Sequence, residues 1–452
     1  MKILFKKTLL LFLILVASLL CVFGTMNISE VSAETEEELK SKIDTKSDEI
    51  KKLEEEINKY NRDIINVQAE SKTLSSSIRE LDLTAEKLLT EMDITNNKIA
   101  SANYSLQKTQ TEIDNATYKI NKGNNAIGDI VRSIDESETK TLIEVVLENN
   151  EFSDFWNDIE SMQNLRNVIT SNLKELESLK NDLQNKQAEK EKEKESLLEF
   201  ESQLKDQKQV IEVNKKDKNS LLSQTENKEA NYQKIVNKKK AAKDAFEKEL
   251  ADFESQLKTV INQNLLPSFG SGVLGWPLAD LSLGSCYVGN NLKFKNCVTQ
   301  FFGNTDFSKS GAYNGQGHNG IDFRAAVGDT LYASADGTIA GTGNTDQYSG
   351  CYSYGKWVLI THDNGLSSLY AHLSLIKVQS GQYVHKGDII GYTGNTGYST
   401  GPHLHYGVYA SEGVSIVRMG DVKKITNCTN AYIPVASYSA YLNPIDYLSS
   451  SK

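Results

Sequence analysis

Apolar residues in the first half of the chain recur at alternating spacings of three and four. From Ile50 they run Leu53, Ile57, Tyr60, Ile64, Val67, Leu74, Ile78, Leu81, Leu88, Met92, Ile99, Leu106 and Ile113, with Ser71, Ala85 and Ala102 filling the register. This repeat, without proline, predicts a long helix whose stripe must be covered by a partner helix. The pattern breaks around Gly123-Asn124-Asn125 and Gly128, where an apolar patch follows, Leu142 to Leu147, then Phe152, Phe155 and Trp156. A second stripe starts at Leu165 and continues through Ile169, Leu173, Leu176 and Leu183, less cleanly, to Phe253 and Leu257. The expected organisation is a coiled-coil arm over 34–128, a helical tip over 129–164 and a returning arm over 165–262. An antiparallel hairpin is the first arrangement and a parallel dimer the alternative. The polar tract Lys180–Glu195 weakens the seam, and Phe152, Phe155 and Trp156 are either the core of the tip or a partner-docking cluster.

Beyond Pro267 the periodicity changes. Lys356–Ile360, Ser368–Tyr370, Ile389–Tyr392 and Leu404–Val408 are short strand-like pieces separated by glycine-rich turns. The segment 263–452 is therefore expected to be one mostly β domain, large enough for its own core. It holds a loose internal echo: Val327–Leu331 leading to Gly337–Ile339, and Val378–Val384 leading to Gly387–Gly391.

Composition sharpens this boundary. All five prolines and four of the five cysteines lie past position 266. The net charge of −10 is carried upstream, since residues 267–452 contain 11 acidic and 11 basic side chains. Nothing in that balance suits a nucleic-acid partner. The Lys-rich stretch Lys234–Lys243 reads as the wet face of a helix. At the N-terminus, Lys2, Lys6 and Lys7 precede an apolar run from Leu9 to Gly24, and Val31-Ser32-Ala33 offers small residues for cleavage. Residues 1–33 thus read as a signal peptide; left uncleaved, the run is only slightly short of a membrane span. Leu20 before Cys21 argues against lipid attachment. Export makes two disulfides among Cys286, Cys297, Cys351 and Cys428 reasonable, with Cys286–Cys297 the preferred local pair.

All six histidines fall between positions 318 and 405. His403 and His405 are two apart in a strand-like segment, so both face one cleft. His318 and Asp322 flank Gly320, which favours a bend that brings both inward. Imidazoles and a carboxylate in this number suit a catalytic zinc site. His362 and His385 are expected to be structural or superficial, and Tyr313, Tyr348, Tyr352 and Tyr354 lie in glycine-rich loops placed to rim a groove.

The text His318-Asn319-Gly320-Ile321-Asp322, Tyr370-Ala371-His372-Leu373 and Thr396–His405 resembles the lysostaphin-type or LytM zinc endopeptidases of bacterial cell walls. The resemblance implies a duplicated hybrid motif with a lysostaphin-like antiparallel sheet. It implies zinc held by His318, Asp322 and His405, with His372 and His403 as the catalytic pair in undetermined order, and peptidoglycan peptides as substrate. The arrangement of coiled coil and catalytic domain resembles secreted, division-associated murein hydrolases. In those relatives the coiled coil meets a membrane complex of the ABC-transporter type and can cover the active site. That implies a regulated enzyme exported to the cell wall or periplasm, or held at the membrane. The alternative is a non-enzymatic activator or wall-binding scaffold acting with another murein hydrolase.

Overall fold

The computed structural model describes residues 35–69, 72–137, 152–257, 259–284, 287–288, 291–292, 294–303, 317–399, 401–422 and 427–449. Residues 1–33, expected to be a signal peptide, lie outside them with the apolar patch Leu142–Leu147, Tyr313 and Cys286, as do the side chains of Phe152, Phe155 and Trp156.

Four helices lead the chain: α1 (Glu36–Ala69), α2 (Leu74–Ser137), α3 (Phe152–Thr225) and α4 (Glu229–Glu254). The first stripe is thus cut after Ala69, and the second after Thr225. Thr73 ends the first interruption as an N-cap, its hydroxyl accepting from the Ser76 amide at 3.1 Å while Ser76 Oγ accepts from the Thr73 amide at 3.0 Å. Glu226 and Asn227 make the second with φ of 48° and 56°, a left-handed turn built without glycine. The expected break at Gly123 and Gly128 does not occur; α2 runs through both. Gly123 serves close approach instead, since a Cβ there would lie 2.6 Å from Leu176.

The chain divides into two compact units. In the first, comprising 1–43 and 104–187, Lys186 of α3 pairs with Glu112 of α2, and Gly123 meets Leu176. In the second, comprising 44–103 and 188–452, Lys218 pairs with Asp82, and Lys98 lies 5.7 Å from the Phe200 ring. Within each unit the partner on α3 moves back along the chain as that on α2 moves forward, so the two helices run antiparallel.

The C-terminal part is mostly β. Four short strands come first, β1 (Leu281–Ser282), β2 (Tyr287–Val288), β3 (Asn291–Leu292) and β4 (Asn296–Gln300). The strands that build the site are β5 (Ile321–Arg324), β6 (Thr330–Tyr332), β7 (Gly337–Asn344), β8 (Lys356–His362), β9 (Leu366–Ile376), β10 (Tyr383–Val384), β11 (Ile389–Thr393) and β12 (His403–Ala410). In the main sheet β5 pairs with β12, then β9, β8, β7 and β10 follow in that order. The segments of the internal echo exchange partners: β6 pairs with β11, and β7 with β10.

Alternation along the strands fills two cores. Ile321, Phe323, Tyr370, Leu404, Tyr406 and Val408 belong to one. Trp357, Leu359, Leu369, Ala371 and Tyr409 belong to the other, with Phe246 and Leu250 of α4. A residue between Phe323 and Ile321, or between Leu404 and Tyr406, therefore faces the second side. Cys351 and Cys428 form a disulfide across 77 residues, and Cys297 is also disulfide-bonded.

Candidate metal and catalytic centre

Asp322 and His405 sit opposite each other in the β5–β12 pairing. Both occupy odd places between core residues, so both side chains leave the first core and meet on the other side of the sheet. His318 enters from the chain before β5, fixed by a two-way backbone bridge with Gly303 at 2.8 Å. His318 Nε2 lies 3.1 Å from His405 Nδ1 and 3.2 Å from Asp322 Oδ1, and His405 Nδ1 lies 2.9 Å from Asp322 Oδ1. The structure thus brings these three side chains together.

Their chemistry fits zinc. Ligand atoms about 2.0–2.1 Å from a tetrahedral ion stand roughly 3.3 Å apart, close to the spacing of this triangle. His318 Nδ1 donates to the Phe301 carbonyl at 3.1 Å, which leaves Nε2 as the lone-pair nitrogen facing its neighbours. His405 is buried, and its second ring nitrogen, Nε2, has no hydrogen-bond partner. Gly320 makes room for that ring: a Cβ there would lie 2.7 Å from the Tyr406 carbonyl oxygen and 2.8 Å from His405 Cε1. Burial opposes ionisation of Asp322, but the rings of His318, His403 and His405 outweigh it and hold its carboxyl well below the ordinary range. Burial lowers the His405 imidazole, keeping it neutral as a ligand must be.

His372 and His403 stand beside this triangle with ring centroids 4.6 Å apart. The β8–β9 register slips between Lys356 and Val358, leaving one extra residue on β9. His372 occupies that bulge with φ of 65°, and the alternation reverses across it, so that Ala371 and Leu373 enter different cores. Its amide donates to the Tyr354 carbonyl at 2.9 Å, and its Nδ1 donates to the Thr396 carbonyl at 2.8 Å. Nε2 is therefore the unprotonated nitrogen. Burial pushes the His372 imidazole well below its usual range, and the neighbouring His403 and His405 add to this. His403 Nδ1 lies 2.8 Å from the Gly401 carbonyl and 3.0 Å from Ser399 Oγ, while its Nε2 is 3.8 Å from Asp322. Thr396 is itself braced: the Lys356 amide donates to its hydroxyl at 3.0 Å, and the Gly397 amide donates to Asp346 at 2.9 Å.

The two remaining histidines take the structural and superficial roles expected of them. His362 is buried in β8, bonded to Ser368 Oγ at 2.7 Å, and His385 is exposed.

A cavity of about 420 Å³ opens on the five site residues. Tyr352 and Tyr354 line it, as does Tyr398, whereas Tyr348 does not. One wall is helical. It is α4, which contributes Lys243, Phe246, Glu247, Leu250, Ala251 and Glu254. The basic stretch ending at Lys243 is more than a wet face: Lys239 lies 5.4 Å from the Tyr352 ring and Lys243 4.9 Å from the Tyr398 ring. Glu254 is buried, accepts from the Tyr441 hydroxyl at 2.6 Å and the Ala436 amide at 3.2 Å, and is raised by burial to about 7. The apolar pair Phe246 and Leu250, at a spacing of four, was the readable signal of a buried face on this helix.

Residues 316–416 match the model of peptidase family M23. That segment is therefore similar to the M23 peptidases. It is 47% identical over 89 residues to the DD-carboxypeptidase/endopeptidase Mpg of Neisseria meningitidis, covering 20% of this chain and 19% of that one. It is 43% identical over 120 residues to the peptidoglycan DD-endopeptidase ShyA of Vibrio cholerae, covering 26% and 24%. The solved catalytic domain of lysostaphin from Staphylococcus simulans is 28% identical, with 33% of this chain and 88% of that one covered and a TM-score of 0.23. The chain thus spans about a fifth to a quarter of the length of these curated relatives. Among the described residues no helix is long and apolar enough to cross a membrane.

Proposed function

We propose that the protein is an exported zinc-dependent endopeptidase that hydrolyses peptide bonds of bacterial peptidoglycan. The observation that carries this reading is the convergence of His318, Asp322 and His405 beside two further imidazoles whose Nε2 atoms are free to accept a proton. The relatives named as a DD-carboxypeptidase/endopeptidase and a peptidoglycan DD-endopeptidase support the substrate class.

His318 Nε2, His405 Nδ1 and Asp322 Oδ1 would hold the ion. Zinc in such a donor set supplies a water of lowered pKa and polarises a carbonyl. Everything else falls to side chains. One of His372 and His403 takes the proton of the attacking water at Nε2 and returns it to the departing amine. The other, once protonated at both ring nitrogens, donates from Nε2 to the oxygen that becomes negative as the carbonyl turns tetrahedral. The Thr396 carbonyl and the Gly401 carbonyl keep both rings turned so that Nε2 faces the cavity.

The helical region is read as a coiled-coil arm, tip and returning arm over 34–262, ahead of the catalytic domain at 263–452, with 1–33 removed on export. Its role is restraint. Phe246 and Leu250 are buried against Tyr354 and Trp357, and Tyr438 donates to the Ala251 carbonyl at 2.8 Å, so α4 lies where an extended peptide would have to pass. Full burial of each apolar side chain contributes about 2 kcal/mol. Division or wall remodelling, with a membrane complex acting on the arm, is the setting that such restraint suits. A non-enzymatic activator would not need the intact pair of extra imidazoles.

The test is incubation of the zinc-loaded chain with purified peptidoglycan, beside His405→Ala and beside Leu250→Asp on α4. Zinc-dependent release of soluble fragments, faster with Leu250→Asp and absent with His405→Ala, is expected. Equal release by His405→Ala would contradict the metal centre.

A further inference from the structure

The helices meet the catalytic domain through a second set of residues, separate from α4. Asp329, in the turn between β5 and β6, lies 2.9 Å from Lys87 of α2 and 2.7 Å from Lys295. Glu91, one turn beyond Lys87, lies 3.3 Å from Lys87 and 4.0 Å from Lys295. Lys87 is fully buried and Asp329 nearly so. The second oxygen of Asp329 accepts from the Ala326 amide at 3.0 Å, which sets the turn that presents it.

Around this knot lies one apolar cluster. Leu88, Val210 and Ile211 from the helices meet Val327 and Tyr392, with Met92, Leu375 and Ile389 packed against them. The remaining links are polar: Arg324 donates to Gln68 at 2.6 Å, Lys377 to Asp206 at 2.6 Å, and Tyr392 to Asp206 at 2.9 Å. An interface that joins one apolar cluster to several hydrogen bonds and ion pairs has the mixed character of contacts between domains that move.

The charges themselves indicate how it opens. Removing one member of a buried ion pair strands the other, and that is costly. At Asp329 separation strands nothing, although Lys377 and Asp206 part and pass to water. Lys87 keeps Glu91 on α2, and Asp329 keeps Lys295 on the domain, so each half remains neutral and paired in water. Four charges shared when closed become two complete pairs when open. An apolar seam of the same size would expose its hydrophobic face instead.

We propose that the face of the catalytic domain carrying Arg324, Asp329, Lys377 and Tyr392 is a releasable docking surface for the chain's own helices, with Lys87–Asp329 as its lock. The inference rests on the reading that the helical region restrains the active site, and extends it: α4 covers the cavity, while this surface holds α2 and α3 in place. A partner that pulls on the helices acts by breaking the lock.

The test uses the full zinc-loaded chain with Lys87→Glu, which puts a third carboxylate beside Asp329 and Glu91, and with Asp206→Lys as an independent disruption of the same face. Amide hydrogen exchange over Ala326–Asp329 and at Tyr392 is read together with peptidoglycan hydrolysis, and Leu250→Asp serves as the α4 comparison. Exchange faster by about tenfold or more in both variants, with helical content retained, supports the surface. A parallel rise in hydrolysis supports its link to restraint. Unchanged exchange in both folded variants overturns the proposal, and the α4 reading survives if Leu250→Asp still hydrolyses faster. Faster exchange with no gain in hydrolysis from any of the three variants upholds the surface and contradicts restraint.

Discussion

The Nδ1 atom of His372 lies 2.8 Å from the carbonyl oxygen of Thr396. Because Nδ1 must donate in that bond, Nε2 carries the lone pair, and a left-handed φ of 65° at His372 turns it into the cavity. The bulge in β9 and the loop at Thr396–Gly397 thus set the tautomer and the aim of one imidazole together.

Replacing His372 or His403 with alanine is expected to lower kcat by about 10²–10⁴-fold while leaving bound zinc unchanged. Metal content by atomic absorption alongside turnover separates this from loss of the ion. A comparable loss of zinc in either variant would move that histidine into the ligand set.

Asp346 accepts from the Gly397 amide with both oxygens, at 2.9 and 3.1 Å, and so braces the loop that holds His372. Asp346→Ala is expected to lower kcat by about tenfold with KM and zinc content preserved, since a small displacement of a catalytic group is enough for such an effect. Asp346→Asn, which retains one acceptor, should recover part of the loss. Unaltered kcat in the alanine variant would show that the loop holds its place without this carboxylate.

Gly320→Ala is expected to damage the ligand triangle from below. The added methyl would lie 2.7 Å from the Tyr406 carbonyl oxygen and 2.9 Å from His405 Nε2, and the first of these is backbone that cannot swing aside. Zinc affinity should fall, and stability should drop by about 1–3 kcal/mol, measured by competition with a chelator and by denaturant unfolding.

Glu254 makes the α4 contact sensitive to pH. Its carboxyl is raised from 4.5 to about 7 while docked, burial being the chief cause. A raised pKa favours the docked state fully below 4.5, and that contribution is lost as pH climbs through 7. The corresponding free energy is about 3 kcal/mol as an upper bound. Hydrogen exchange of residues 246–254 should accelerate between these values in the wild type and lose that dependence in Glu254→Gln.

Much of the centre was legible because its spacing is local. His403 and His405 share a strand face by their separation of two, and Asp322 meets His405 by strand pairing once Gly320 has turned the chain. The same holds for part of the helical region, where Ile64, Val67, Leu74 and Leu88 of the stripe are buried and most of its other members are half-buried. What was not legible is tertiary. Thr73, an N-cap in a polar run, and the left-handed pair Glu226 and Asn227 interrupt the helices where neither glycine nor proline marks a stop. Gly123 and Gly128 look like breakers, yet the helix absorbs them because Gly123 admits Leu176. Phe246 and Leu250 stand among lysines and glutamates, so their burial over the cavity comes from a surface more than 100 residues later in the chain. Lys87 is the sharpest case: nothing near it in sequence distinguishes a buried lysine from the exposed ones around it, and only Asp329 decides its place.

The most direct measurement is mass identification of the products when zinc-loaded Leu250→Asp chain acts on purified peptidoglycan. Fragments that differ from uncut material by one added water at a peptide bond, formed only with zinc and missing with the additional His405→Ala change, are expected. A folded, zinc-loaded Leu250→Asp chain that cuts no peptide bond in walls of several cross-link chemistries would contradict the assignment of this centre as a peptidoglycan endopeptidase.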